Sequence, residues 1–186
     1  MAYFVRKFER AKWDNSLRAF TNNGYNKNYI EGDTFSKCLF TSDNTLSVWY
    51  SETSKWEDMN AILAIIFSSC DGPGRSDIII IDEDDLVDVI VTDESGGAPV
   101  TDEYNKLHRN FSKIDYKTMG YVAEKMATII LQDPQREEDD KRVKRFSERD
   151  VENIVKDAAM KGIIDIPKAC SKKRWASRLQ PNNDIV

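Results

Sequence analysis

The 186 residues, 40% of them apolar, are enough to bury a hydrophobic core, so the composition excludes a chain disordered throughout. Three widely spaced cysteines (Cys38, Cys70 and Cys170) fit neither a disulfide framework nor a CxxC zinc site, and a single histidine excludes multi-histidine metal centres. The net charge of −5 is unevenly divided: residues 50–105 hold fourteen acids against Lys55 and Arg75, a balance of −12 that leaves +7 elsewhere, which suits a partner of complementary charge better than it suits nucleic acid.

The opening residues lack the apolar core of a signal peptide, and no run approaches the roughly 18 apolar residues of a membrane span. The expectation is a cytoplasmic protein with no membrane contact. In "AYFVRKFER", Phe4 and Phe8 share one side of an extended chain, which predicts a strand near 2–10. The pattern then weakens, and the Asn- and Gly-rich "TNNGYNKNYIEGD" reads as a surface loop. Asp33 can cap a short helix bearing Phe35, Cys38 and Leu39. "TLSVWYS" follows as a second strand, with Leu46, Val48 and Tyr50 on one face.

"SKWE" has the form of a capping box, Ser54 with Glu57, opening a helix over 55–69 that is apolar around most of its circumference and therefore expected to be buried. Gly72 and Pro73 stop it, and "DIIII" reads as a central strand covered on both faces, so that strand, helix and strand form a right-handed crossover. "LVDVIV" supplies a further strand over 86–92, which places "DEDD" in a hairpin turn. Beyond "TDESGGAPVTDE", Thr101 can cap a helix carrying Tyr104, Leu107, His108 and Phe111. Asp115 can cap a longer one with Met119, Val122, Met126 and Ile130. The charged 134–147 reads as a linker or loop. "SERD" caps a helix striped by Val151, Ile154, Val155 and Ala158 and closed by Gly162; Pro167 begins a last helix, and 181–186 is a tail.

Four groups of residues are candidates for chemistry. Asp82, Asp84, Asp85 and Asp88 could offer oxygen ligands to Mg²⁺ or Mn²⁺ for phosphodiester hydrolysis. Adjacent acids on an extended chain alternate faces, however, and neither an EF-hand spacing nor a nuclease signature accompanies them. "SSCDGPGRSD" is glycine-rich, but it leaves a helix and enters a strand, the reverse of a phosphate loop. Cys70 with His108 could form a nucleophile and base, although His108 falls on an apolar stripe. Lys172, Lys173, Arg174, Trp175 and Arg178 on the last helix could track a phosphate backbone and stack a base; a helix with Trp175 and Leu179 turned inward and its bases solvated is the plainer reading.

The sequence therefore predicts an α+β fold: a small mixed sheet of about four strands covered by helices over 1–133, with a C-terminal helical segment over 148–180. No cofactor is implied. The functional expectation is a non-catalytic accessory or regulatory subunit, of the immunity type found in bacterial or phage systems. It would bind a basic protein surface through Glu83, Asp84 and Asp85. A metal-dependent nuclease using the acidic run, and a nucleic-acid binder using the last helix, are the alternatives.

Overall fold

The computed structural model describes residues 2–22, 30–39, 43–94, 96–171 and 173–179. In chain order they form β1 Tyr3–Phe8, α1 Arg10–Asn22, α2 Gly32–Cys38, β2 Leu46–Ser51, α3 Asn60–Ser68, β3 Ser76–Asp82, β4 Ile90–Asp93, α4 Asp102–Asn105, β5 His108–Ser112, α5 Tyr116–Gln132, β6 Val143–Phe146, α6 Glu148–Met160, α7 Ile166–Ala169 and α8 Lys173–Leu179. The α+β class holds. The sheet, however, has six strands in the order β4-β5-β2-β1-β3-β6, every neighbouring pair antiparallel, in place of the expected four-stranded mixed sheet.

Strand alternation builds two cores from one sheet. Phe4, Phe8, Val48, Ile79, Ile81 and Phe111 turn to one face, where Trp13 and Leu17 of α1 and Val122, Met126 and Ile130 of α5 cover them. Val5, Trp49, Ile78, Ile80 and Phe146 turn to the other, beneath Leu63 and Phe67 of α3, Val151 and Val155 of α6 and Trp175 of α8. The isoleucines of "DIIII" alternate between these cores, and all four are fully buried. A central strand covered on both faces has no room for the apolar-polar alternation of a solvated one. β2 and β3 flank β1, so the segment through α3 joins two strands of equal direction across the N-terminal strand.

Several local predictions hold because short-range chemistry decides them. Asp115 accepts from Thr118 N (2.7 Å), Ser147 and Asp150 complete a reciprocal capping box, and Gly162 takes φ +72° at the end of α6. Ser54 and Glu57 form no such box. α3 is entered through a 3₁₀ turn, Trp56–Met59, fixed by burial of Trp56 and donation from its Nε1 to Lys141 O at 2.9 Å. The loop expected over 21–33 lies largely outside the described residues, as does the 181–186 tail.

Three other predictions are corrected by long-range pairing. Residues 86–92 do not return as a hairpin on β3, because β1 occupies one edge of β3 and β6 the other. A 3₁₀ turn, Glu83–Leu86, instead leads to β4 at the far edge of the sheet, paired with β5. The helix expected at Tyr104–Phe111 is a single turn, after which 108–112 is strand. Phe111 is fully buried there, edge-on to Phe4 with ring centroids 5.2 Å apart. The charged stretch 134–147 carries β6, and the buried Asp133 carboxylate anchors it by accepting from Arg142 N (2.6 Å) and Val143 N (3.0 Å).

Candidate functional site

The four acids of "DEDD" diverge. Asp82, ending β3, takes Arg142 Nε at 3.4 Å, and that guanidinium lies over the Tyr3 ring. Asp85 takes Lys125 Nζ at 3.6 Å while its carbonyl accepts from Tyr121 Oη at 2.8 Å. Glu83, Asp84 and Asp88 are exposed, with no ion pair among the described residues. Asp82, Asp84, Asp85 and Asp88 therefore do not converge. Among the described residues no three His, Cys, Asp or Glu side chains are placed to hold a metal ion. The charge division seen in sequence is partly absorbed within the fold, since Asp77, Asp82, Asp85 and Asp93 pair with Arg145, Arg142, Lys125 and Arg109, all outside residues 50–105.

The basic C-terminal helix is occupied internally. Trp175 is fully buried and donates from Nε1 to Cys70 O at 3.0 Å, so its ring has no face for a base. Arg174 donates to Pro73 O at 3.0 Å, and Arg178 reaches Glu152 (3.1 Å) and Glu148 (3.7 Å). Lys172 and the side chain of Lys173 lie outside the described residues. Gly72 in "DGPGR" is the seat for this helix: a Cβ there would lie 2.3 Å from Arg174 Cβ. That loop is a helix stop and docking point, as its helix-to-strand polarity indicates.

Cys70 and His108 line different cavities and make no hydrogen bond to one another. Cys70 Sγ accepts from Lys7 Nζ at 3.2 Å. His108 Nδ1 is 2.9 Å from Glu94 O, and its ring meets Trp49 edge-on at 5.0 Å. A carbonyl can only accept, so Nδ1 carries the hydrogen in the neutral imidazole and Nε2 keeps its lone pair.

Neighbouring strands create a feature that no local motif announces. Pairing of β1 with β2 stops at Val5 and Trp49, yet β1 continues along β3 to Phe8 and Asp77, and β2 continues along β5 to Leu46 and Phe111. The sheet thus parts near its centre. Arg6 reaches into the parting, donating to Ser47 O and, from Nε and Nη2, to Cys38 O at 3.3 and 2.9 Å. Burial lowers its pKa to about 10, with the Cys38 sulfur opposing, so the guanidinium remains charged at neutral pH. A cavity of about 290 Å³ lies at this parting, and a second of about 460 Å³ adjoins it, sharing Ser47, Trp49 and Ser69.

The two sheet edges are chemically unlike. β6 carries exposed Lys144 and Arg145, the residues that commonly guard an edge, whereas β4 reads Ile90-Val91-Thr92-Asp93 without lysine or proline. Val87 and Ile90, at the start of that edge, are 82% and 48% exposed. Comparison with protein families, with curated proteins and with solved structures finds no match. No described helix is long and apolar enough to cross a membrane.

Proposed function

We propose that this chain is a non-catalytic accessory or regulatory subunit that binds an extended, basic segment of a partner protein along the open edge of β4. The supporting observation is the unguarded edge itself, flanked by exposed Val87 and Ile90 and by Glu83, Asp84 and Asp88, exposed acids with no ion pair among the described residues. An edge strand offers a row of backbone donors and acceptors, which supplies affinity. The apolar side chains supply a contact, and the acids select a positively charged partner and speed its approach. Asp85, tied to Lys125, contributes less than its neighbours. Three free cysteines are in keeping with a reducing, cytoplasmic setting.

A short peptide of alternating lysine and valine, titrated into isotope-labelled protein, tests the proposal. Amide shifts should concentrate on Ile90–Asp93 and weaken as salt is raised. Val87→Lys with Ile90→Lys, which installs the guard that β6 already has, should abolish them. Glu83→Gln, Asp84→Asn and Asp88→Asn together should slow association. Shifts absent from β4, or unchanged by the lysine pair, would refute edge binding.

A further inference from the structure

We infer that the paired cavities at the central parting of the sheet are a binding site for a small organic anion, whose acidic group meets Lys7 or Lys168 and whose apolar body lies along Trp49. This site is separate from the β4 edge and does not depend on it.

Charge is the first argument. Arg6 and Lys7 line the smaller cavity and Lys168 the larger, against a single acid, Glu9, in a chain whose net charge is −5. None of the three cations has a carboxylate partner among the described residues: Arg6 donates only to main-chain carbonyls, the partner of Lys7 is a thiol, and Lys168 has no ion pair. The contrast with Arg142 and Arg145, each bonded to an aspartate, is plain. Cations gathered in a concavity without counter-ions attract an anion, and low-dielectric walls strengthen that attraction.

The lining supplies the rest of a ligand site. Trp49 walls both cavities, and exposed Ser47, Ser69 and Ser171 add hydroxyl oxygens that can accept, their hydrogens being given to Asn110 Oδ1, Ile65 O and Lys168 O. His108 presents its ring to the larger cavity with Nδ1 held by Glu94 O. Gly96 lets the 96–99 loop close over this wall: a Cβ there would meet His108 Cγ at 3.0 Å and Trp49 Cη2 at 3.2 Å. An apolar wall with a few convergent polar groups, in cavities of about 290 and 460 Å³, is the composition of small-molecule sites.

Carboxylate and phosphate share the chemistry required, so benzoate and phenyl phosphate are the probes, with uncharged benzyl alcohol beside them. One of the two anions should bind with a Kd of about 1 mM or tighter and shift the amides of Ser47, Gly96 and Gly97; which one binds names the acidic group. Lys7 and Lys168 are both at exposed positions; replacing by Gln whichever of them meets the acid should weaken binding about tenfold, and the double variant should do so in either case. Lys144→Gln, and the Val87→Lys with Ile90→Lys pair, should leave it unchanged, so failure here is distinguishable from failure at the β4 edge. The inference is overturned if neither anion binds, if benzyl alcohol binds as well, or if the folded Lys7→Gln/Lys168→Gln double variant keeps wild-type affinity.

Discussion

Arg6 poses a quantitative question, because two opposing terms of similar size meet at one side chain. Replacing it by Met removes the donors that satisfy Cys38 O and Ser47 O. A carbonyl left dry costs about 1–3 kcal/mol, but these two border an open cavity where water can replace the guanidinium, which puts the loss at the low end, about 2 kcal/mol for both. Against that stands relief from burying the charge. The lowering of its pKa to about 10 corresponds to about 3 kcal/mol of disfavour for the charged form. The terms nearly cancel, so Arg6→Met should change stability by no more than about 1 kcal/mol in urea unfolding at pH 7. The sign with pH is also fixed. Arg6 is charged in both states below its folded pKa, so wild type carries the full penalty there; as pH rises through about 10 towards the ordinary arginine range the native state releases its proton first, and wild type gains on the variant. A loss above ~3 kcal/mol at pH 7 would show that Arg6 is chiefly a structural clasp and would remove one support for the anion site.

Ile80→Ala should cost about 2–5 kcal/mol in the same assay, since Ile80 is fully buried in the core beneath α3 and α6; a loss below ~1 kcal/mol would contradict a tightly packed central strand. Asp115, Asp150 and Glu152 all have pKa values lowered in the fold, chiefly by hydrogen bonds from Thr118, Ser147 and Lys156 respectively. Each therefore adds stability above the ordinary carboxylate range that is lost as pH falls through its folded value. Ser147→Ala should flatten that acid limb in thermal melts, and an unchanged limb would dissociate Asp150 from it.

Where the sequence could be read, a local signal agreed with the tertiary demand. Four isoleucines can only be a doubly covered strand or part of a buried helix, and Asp71-Gly72-Pro73 before them chose the strand. Asp115 and Ser147 chose their helix starts by hydrogen bonds spanning three residues. β5 was illegible for the opposite reason: Tyr104, Leu107 and Phe111 fit a helical stripe, and only pairing with β2 and contact with Phe4 decide for strand. α1 is not foreseen from the sequence, although Trp13 and Leu17 stand four apart, because these two buried apolar residues among its described side chains sit in an otherwise polar stretch and make a faint stripe. The anion cavity has no local signature. Arg6, Ser47 with Trp49, Cys70, His108 and Lys168 come from five separate stretches, brought together where one ladder ends early.

The acidic run shows how placement separates residues that look alike in sequence. Asp82 faces Arg142, which is only 8% exposed, so removing the carboxylate leaves a desolvated guanidinium. Breaking a fully buried pair costs about 3–5 kcal/mol. Arg142 keeps a hydrogen bond to Asp140 O at 3.2 Å and the Asp82 side chain retains 26% exposure, so Asp82→Asn should cost less, about 2 kcal/mol. Glu83→Gln and Asp84→Asn, at exposed positions without an ion pair among the described residues, should each change stability by no more than ~0.5 kcal/mol. Urea titrations of the three variants, each repeated with Mg²⁺ and with Mn²⁺, separate the possibilities. Diverging acids predict unequal losses that neither ion alters. A metal site predicts wild-type stabilisation by an ion that Asp84→Asn abolishes, because ligand binding to the native state alone raises its stability by mass action. That second pattern would overturn the assignment of Asp82 to an ion pair and of Glu83 and Asp84 to solvent.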